Sequence, residues 1–316
     1  MTTDVAQLTE FSLIERFFTR QVIKNSSTLL GIGDDCALLS IPDGYELAIT
    51  TDTMVENVHF FAETDPCQLG HKLLAVNLSD LASMGAKPLS VTLALTLPKV
   101  DEDWLTEFAK GFLNLAERYT VDLIGGDTTS GALTLTVQAM GLVPRGKGLK
   151  RSGAKAGDVI YITGCLGDAG LGLKIAQGYQ CLQSEFALQR FNQPEPRINT
   201  GLALLDIASA CIDISDGLAG DLGHILQQSG VGACLIWEDL PLSESVRTYL
   251  NTTDDWAMPL TAGDDYELCF TVSPKFSALV PPDCTKIGMI EAKPGLRLQK
   301  SGIIQPFQQQ AYEHFS

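Results

Sequence analysis

A chain of 316 residues with 45% hydrophobic and 19% charged content is long enough for two domains and a sizeable core. Its formal charge of −16 excludes a nucleic-acid surface, which needs clustered Lys and Arg, and an anchor on an anionic membrane. The eight cysteines are scattered without CxxC or zinc-like spacing, and MTTDVAQLTEF lacks the basic and then apolar pattern of a leader, so reduced thiols in a cytoplasm are expected.

Taken in order, the first half alternates strand-like and helix-like stretches. YELAITTD (45–52) reads as a strand that breaks at an aspartate. From Gln68 to Met84, Leu69, Leu73, Val76 and Leu81 recur at helical spacing. VTLALTL (91–97) reads as a buried strand, too short to span a membrane. Asp101 is placed to cap a helix whose apolar face is Trp104, Phe108, Phe112 and Leu115. VDLI (121–124) and ALTLTVQAMGLV (132–143) return to strand.

A composition shift follows at 144–158, where Arg145, Lys147, Lys150, Arg151 and Lys155 fall among glycines; this is the expected boundary between domains 1–144 and 145–316. Beyond it come a strand (158–164), a glycine-rich turn (164–172), helical patterns near 198–210 and 217–228, and strands near 232–237, 267–272 and 285–290. The expected class is α+β: two domains with mixed or antiparallel sheets.

Aspartates recur at the ends of apolar segments. They are Asp34 and Asp35 in GIGDDCALL, Asp52 in ITTDT, Asp80 in NLSDLASMG, Asp127 in LIGGDTT, Asp213 and Asp216 in CIDISDG, and Asp264 and Asp265 in TAGDDYEL. Taken singly, each is accounted for as a cap or turn former; the recurrence is not. If they converge, each pair near 4 Å costs about 4 kcal/mol at an effective dielectric of about 20. Several such pairs would exceed a domain's stability of roughly 5–15 kcal/mol. Convergence therefore requires cations, and ligands that are all oxygens suit Mg²⁺, Mn²⁺ or Ca²⁺. The EF-hand spacing and the Walker P-loop are both absent from the sequence. The run at 145–155 reads equally as a solvated linker or as a clamp in which Arg151 or Lys147 neutralises a triphosphate. Metal-bridged phosphoryl transfer is the leading functional reading.

GIGDDCALL, ITTDTMVENVHF, AVNLSDLASMGAKP, LIGGDTT, LKRSGAKAGD, IDISDGLAGDLGHI and AGDDYELCF, in this order and spacing, resemble the thiamine-monophosphate kinase family. That family belongs to the ATP-binding superfamily of aminoimidazole ribonucleotide synthetase. The resemblance runs from about Phe11 to the terminal AYEHF. It implies ATP- and Mg²⁺-dependent phosphorylation of thiamine monophosphate to thiamine diphosphate. It also implies a homodimer whose N-terminal domains share a β-barrel, with a C-terminal α/β domain completing the site. Carried over by motif, Asp35, Thr50, Thr51, Asp52, Asp80, Asp127 and Asp213 hold Mg²⁺ ions, and Asp216 a further one. Gly126, Asp127, Arg151 and Ser215 contact ATP, and Asp80 and Arg151 are the residues nearest the chemistry. His59, Asp264 and Tyr312 meet thiamine phosphate, with Tyr312 the aromatic candidate for the cationic thiazolium. Relatives often carry Glu at the position of Asp264, one methylene longer. An attacking phosphate oxygen is already largely deprotonated at pH 7, so direct in-line transfer needs no strong base. The alternative on the same scaffold is an ATP-dependent ligase or cyclase acting on another phosphorylated small molecule.

Overall fold

The computed structural model describes residues 10–19, 23–180 and 184–308. The chain divides into two compact units. The first comprises residues up to Asn77 together with Pro88–Leu142, and the second Leu78–Lys87 together with the chain from Val143 onward. A ten-residue excursion carrying Asp80 thus groups with the second unit, although it lies far upstream in sequence.

Helix α1 (Glu10–Phe17), a two-stranded ribbon of β1 (Thr28–Leu30) and β2 (Leu38–Leu39), and strand β3 (Tyr45–Val55) open the first unit. Helix α2 (Pro66–Ser83), β4 (Lys87–Leu97), α3 (Glu102–Tyr119), β5 (Asp122–Ser130) and β6 (Thr134–Pro144) follow. The four long strands form one sheet in the order β3-β6-β4-β5, with β4 and β5 parallel. Strand β4, KPLSVTLALTL, is buried along most of its length, as a central strand rich in Leu, Val and Thr should be. Helix α3 forms as its spacing predicts. The Asp101 carboxylate accepts from the Trp104 amide at 3.2 Å, Thr120 closes the far end in the left-handed conformation, and Leu105, Phe108, Phe112 and Leu115 are buried.

Two expectations need correction here. Asp52 does not end its strand, and Asp127 does not sit in a loop. Strand β3 continues through Asp52 to Val55, and β5 continues through Gly125 and Gly126 to Ser130, because β4 offers a parallel partner as far as Leu97↔Ser130. Ladder hydrogen bonds override the turn propensity of Gly and Asp.

The second unit contains β7 (Val159–Thr163), α4 (Asp168–Ala176), α5 (Ser184–Asn192), α6 (Ile198–Ala203), β8 (Ala208–Asp213), α7 (Leu218–Ser229) and β9 (Gly232–Ile236). It continues with α8 (Glu244–Thr252), α9 (Met258–Thr261), β10 (Leu268–Val272), β11 (Cys284–Glu291), β12 (Gly295–Lys300) and β13 (Ile303–Pro306). Seven strands form a mixed sheet in the order β13-β12-β9-β11-β7-β10-β8, antiparallel except between β12 and β9. Ile160, Ile162, Ile212, Leu222, Ile225 and Leu235 lie in its main core. The helical pattern expected near 198–210 stops at Ala203, and 208–213 is strand β8, because ASACID pairs antiparallel with β10. The glycine-rich turn runs directly into α4, which the sequence did not reveal.

Both units mix sheet and helix, so the α+β class holds. Among the described residues no helix is long and apolar enough to cross a membrane. Every described cysteine is unbonded.

Candidate phosphoryl-transfer site

In the first unit, Asp34 and Asp35 are both exposed, and the Asp34 carboxylate accepts from the Asp35 amide at 3.2 Å. Thr50, Thr51 and Asp52 lie on β3, an edge strand. The Asp52 amide donates to Oδ1 of Asn77 at 3.1 Å. Asn77 is fully buried on α2 and donates in turn to the Leu73 carbonyl at 2.9 Å, so a polar side chain ties helix to strand at this position. Asp127 and Gly126 are exposed on β5. A Cβ at Gly126 would run into the Leu93 carbonyl oxygen across the parallel pair, so glycine there is a condition of sheet closure. Just beyond β3, the Val55 amide donates to Nδ1 of His59 at 3.0 Å. That bond requires the Nδ1 lone pair, so a neutral imidazole here carries its ring proton on Nε2.

In the second unit, the loops after β8 and before β10 leave the sheet side by side, since Asp213 pairs with Leu268. They are laced backbone to backbone: the Ile214 amide donates to the Glu267 carbonyl, the Tyr266 amide to the Ile214 carbonyl, and the Asp264 amide to the Ser215 carbonyl, each at 2.8 Å. Asp264 and Tyr266 hold left-handed φ values of 68° and 49°. Such backbone costs of order 1–3 kcal/mol per residue and persists where the surroundings over-determine it. The Tyr266 hydroxyl reaches Oδ1 of Asp264 at 3.3 Å. Asp213 is 4% exposed and accepts from the Ser79 hydroxyl at 2.8 Å, which sets it beside the turn of α2 that bears Asp80.

Two buried carboxylates organise these loops: Asp265, which the sequence reading grouped with Asp264, and Asp221, which it did not single out. Oδ2 of Asp221, on α7, accepts from the amides of both Ser215 (3.0 Å) and Asp216 (3.1 Å). Burial pushes its carboxyl up to about 7 against the pull of those amides. Asp265 is 1% exposed and accepts from Gly167 (2.7 Å) and Ala169 (3.2 Å) at the start of α4. Burial pushes it up to about 8. The positive end of α4 is therefore already filled by a side chain of the same unit, and the glycine-rich turn is no phosphate cradle. Its glycines serve packing instead, since a Cβ on Gly172 would strike the Ala187 carbonyl on α5. The signal for Asp221 was present in the sequence as an acid in the first turn of a helix that follows Ser-Asp-Gly.

Glu267, two residues beyond Asp265, is fully buried. It takes a two-pronged contact from Arg197, with Nε at 2.6 Å and an Nη at 2.5 Å, and a contact from Arg190 at 2.8 Å. Arg151 is exposed, and its loop is held by Ser229, whose hydroxyl accepts from the amides of Gly153 (3.1 Å) and Ala154 (3.2 Å). Lys147, the alternative to Arg151, is engaged with Asp206 at 2.8 Å. Tyr312 lies outside the described residues.

Among the described residues no group of three or more acidic, imidazole or thiol side chains is gathered to hold an ion. The all-oxygen donor set still fits Mg²⁺, an ion that takes one or two carboxylates and completes its shell with water and substrate phosphates.

Residues 33–143 match the family model described as AIR synthase related protein, N-terminal domain. The chain is 47% identical over 296 residues to a thiamine-monophosphate kinase of Haemophilus influenzae, covering 90% of each. Its fold matches the crystal structure of thiamine-monophosphate kinase from Stenotrophomonas maltophilia K279a with a TM-score of 0.84 at 42% identity, covering 92% of this chain and 97% of that one. It also matches AaThiL complexed with AMPPCP and TMP, with a TM-score of 0.80 at 29% identity, covering 87% and 89%. With this identity along nearly its whole length, and with the family's acidic motifs on strands and interlocked loops, the chain belongs to the thiamine-monophosphate kinases.

Proposed function

We propose that this chain transfers the γ-phosphoryl group of ATP to the phosphate of thiamine monophosphate, giving thiamine diphosphate and ADP. The observation that carries the reading is the pair of laced loops holding Ser215, Asp216 and Asp264, in a chain 47% identical to a kinase named for this acceptor. Asp35, Thr50, Thr51, Asp52 and Asp127 of the first unit, with Asp80, Asp213 and Asp216 of the second, are assigned as oxygen ligands for Mg²⁺. When bound, the ion supplies charge neutralisation on the phosphate oxygens.

Gly126 and Ser215 contact the nucleotide, and the exposed Arg151 guanidinium offsets charge on the transferred group. His59, through Nε2, and Asp264 orient the acceptor, together with Tyr312. A phosphate monoester with a second pKa near 6 is its own nucleophile at neutral pH, so positioning and neutralisation carry the rate. No phospho-enzyme forms, and the aspartates act as ligands.

The chain acts as a homodimer in the cytoplasm. The support for dimerisation is β3, an edge strand 11 residues long that leaves Tyr45 41% and Ile49 58% exposed, a pairing surface that isolated proteins seldom leave uncovered. Light scattering on the eluted protein tests this, and a monomer at micromolar concentration would refute it.

Product analysis after incubation with ATP, Mg²⁺ and thiamine monophosphate tests the activity. Thiamine diphosphate with stoichiometric ADP, abolished by EDTA, is expected. ADP with free phosphate and no thiamine diphosphate would move the assignment to the ligase or cyclase alternative.

A further inference from the structure

We infer that Asp221 is a positioning residue that sets the nucleotide side and the acceptor side of the site together, through one carboxylate oxygen. Four observations combine. Oδ2 of Asp221 takes two consecutive amides, Ser215 at 3.0 Å and Asp216 at 3.1 Å, so it fixes the plane of the peptide between them. The carbonyl of Ser215 in turn receives the amide of Asp264 at 2.8 Å, so the second loop follows the first. Asp221 is 3% exposed, which keeps water from replacing it as the acceptor. It sits in the first turn of α7, anchored in the core by Leu218, Leu222, Ile225 and Leu226. The oxygen is therefore mounted on a rigid element, while the residues it holds are on loops.

The inference rests on the assignment of Ser215, Asp216 and Asp264 to the site. Asp221 itself touches no reacting atom. It acts through the two amides, and only the oxygen matters to them. Asp221→Asn keeps one acceptor oxygen, whereas Asp221→Leu keeps the branched shape and removes both.

The experiment compares D221L, D221N and D216N with the unaltered enzyme in steady-state kinetics well below each melting temperature. D221L is expected to lose about 100-fold in kcat, the penalty of a displacement near 1 Å, with KM rising for ATP and thiamine monophosphate alike. D221N is expected to recover most of that loss. D221L with a lowered melting temperature but unaltered kcat and KM would overturn the inference, as would a rise in the KM of one substrate alone. D216N separates the two failures. A fully active D216N removes the site assignment, whereas an inactive D216N beside a normal D221L removes only the role of Asp221.

Amide hydrogen exchange on the unaltered protein decides the matter even where D221L does not fold. Ser215 and Asp216 precede the helix, yet their amides should exchange at least tenfold more slowly than that of Gly302 in the exposed turn after β12. Exchange at the rate of that turn would overturn the inference.

Discussion

The chain contains Gly-Asp-Asp twice, and the two copies live in opposite surroundings. At Gly33-Asp34-Asp35 both carboxylates are exposed, and one does no more than hold its neighbour's amide. At Gly263-Asp264-Asp265 the first acid is half-buried on left-handed backbone, while the second is 1% exposed and closes the start of α4. Adjacent like charges cost about 1 kcal/mol at 4 Å where water screens them, so the first pair needs no special device. The second pair is tolerated because burial favours the neutral form of Asp265, which removes the repulsion between adjacent carboxylates. The same three residues thus stand exposed to water in one place and build part of the scaffold in the other.

The comparison is sharpened most by removing an interior acid. Glu267→Ala leaves the guanidiniums of Arg190 and Arg197, with side chains 13% and 25% exposed, without their shared carboxylate. Breaking such a buried set costs about 3–5 kcal/mol. Urea unfolding should show the midpoint falling accordingly. A loss below about 1 kcal/mol would mean that the acids of this region are not scaffold.

On the exposed side the expectation reverses. Asp35→Asn should lower kcat/KM by about 100-fold or more, as loss of a carboxylate that holds a phosphate-neutralising cation would. Its melting temperature should stay within about 1 °C, because surface changes of this kind rarely exceed ~0.5 kcal/mol. A normally active D35N, or a strongly destabilised one, would erase the distinction between the two Gly-Asp-Asp loops.

Titration offers a third test. Asp265 has its folded value raised to about 8 from an ordinary 3.8, so the folded state binds the proton more tightly than the unfolded chain. Its contribution to stability is therefore full below about pH 4 and is lost as pH rises toward 8. The stability of the unaltered protein relative to Asp265→Asn should fall between pH 5 and pH 8 and level off above about 8. A difference that is flat across that range, or that grows, would show that the two amide donors of Gly167 and Ala169 outweigh burial.

These tests follow a line that the sequence drew only in part. The apolar spacing of Leu69, Leu73 and Val76 and the Asp101 cap determine α2 and α3, because burial and capping are local signals. The class and the site motifs were equally legible. What stayed hidden depended on partners distant in sequence. Strand β5 runs through two glycines because β4 lies alongside, and 208–213 is strand because β10 pairs with it. Asp221 and Asp265 look like any helix-start or loop acid until the amides they hold, at 215–216 and at 167 and 169, are brought to them by the fold.

The smallest expected effect separates two basic residues of the same segment. Lys147 and Arg151 were interchangeable as phosphate clamps on charge alone. Lys147 is tied to Asp206, both with well-exposed side chains, an arrangement of the kind that contributes little. The Arg151 loop is pinned instead by Ser229 through two amides and its own carbonyl, which fixes the backbone and leaves the guanidinium exposed for an anion. Lys147→Ala should therefore leave kcat/KM within about twofold and the melting temperature within about 1 °C, while Arg151→Ala raises the KM for ATP. Equal losses from both substitutions would return the whole 144–158 segment to a diffuse positive patch, in which no single side chain is placed for the nucleotide.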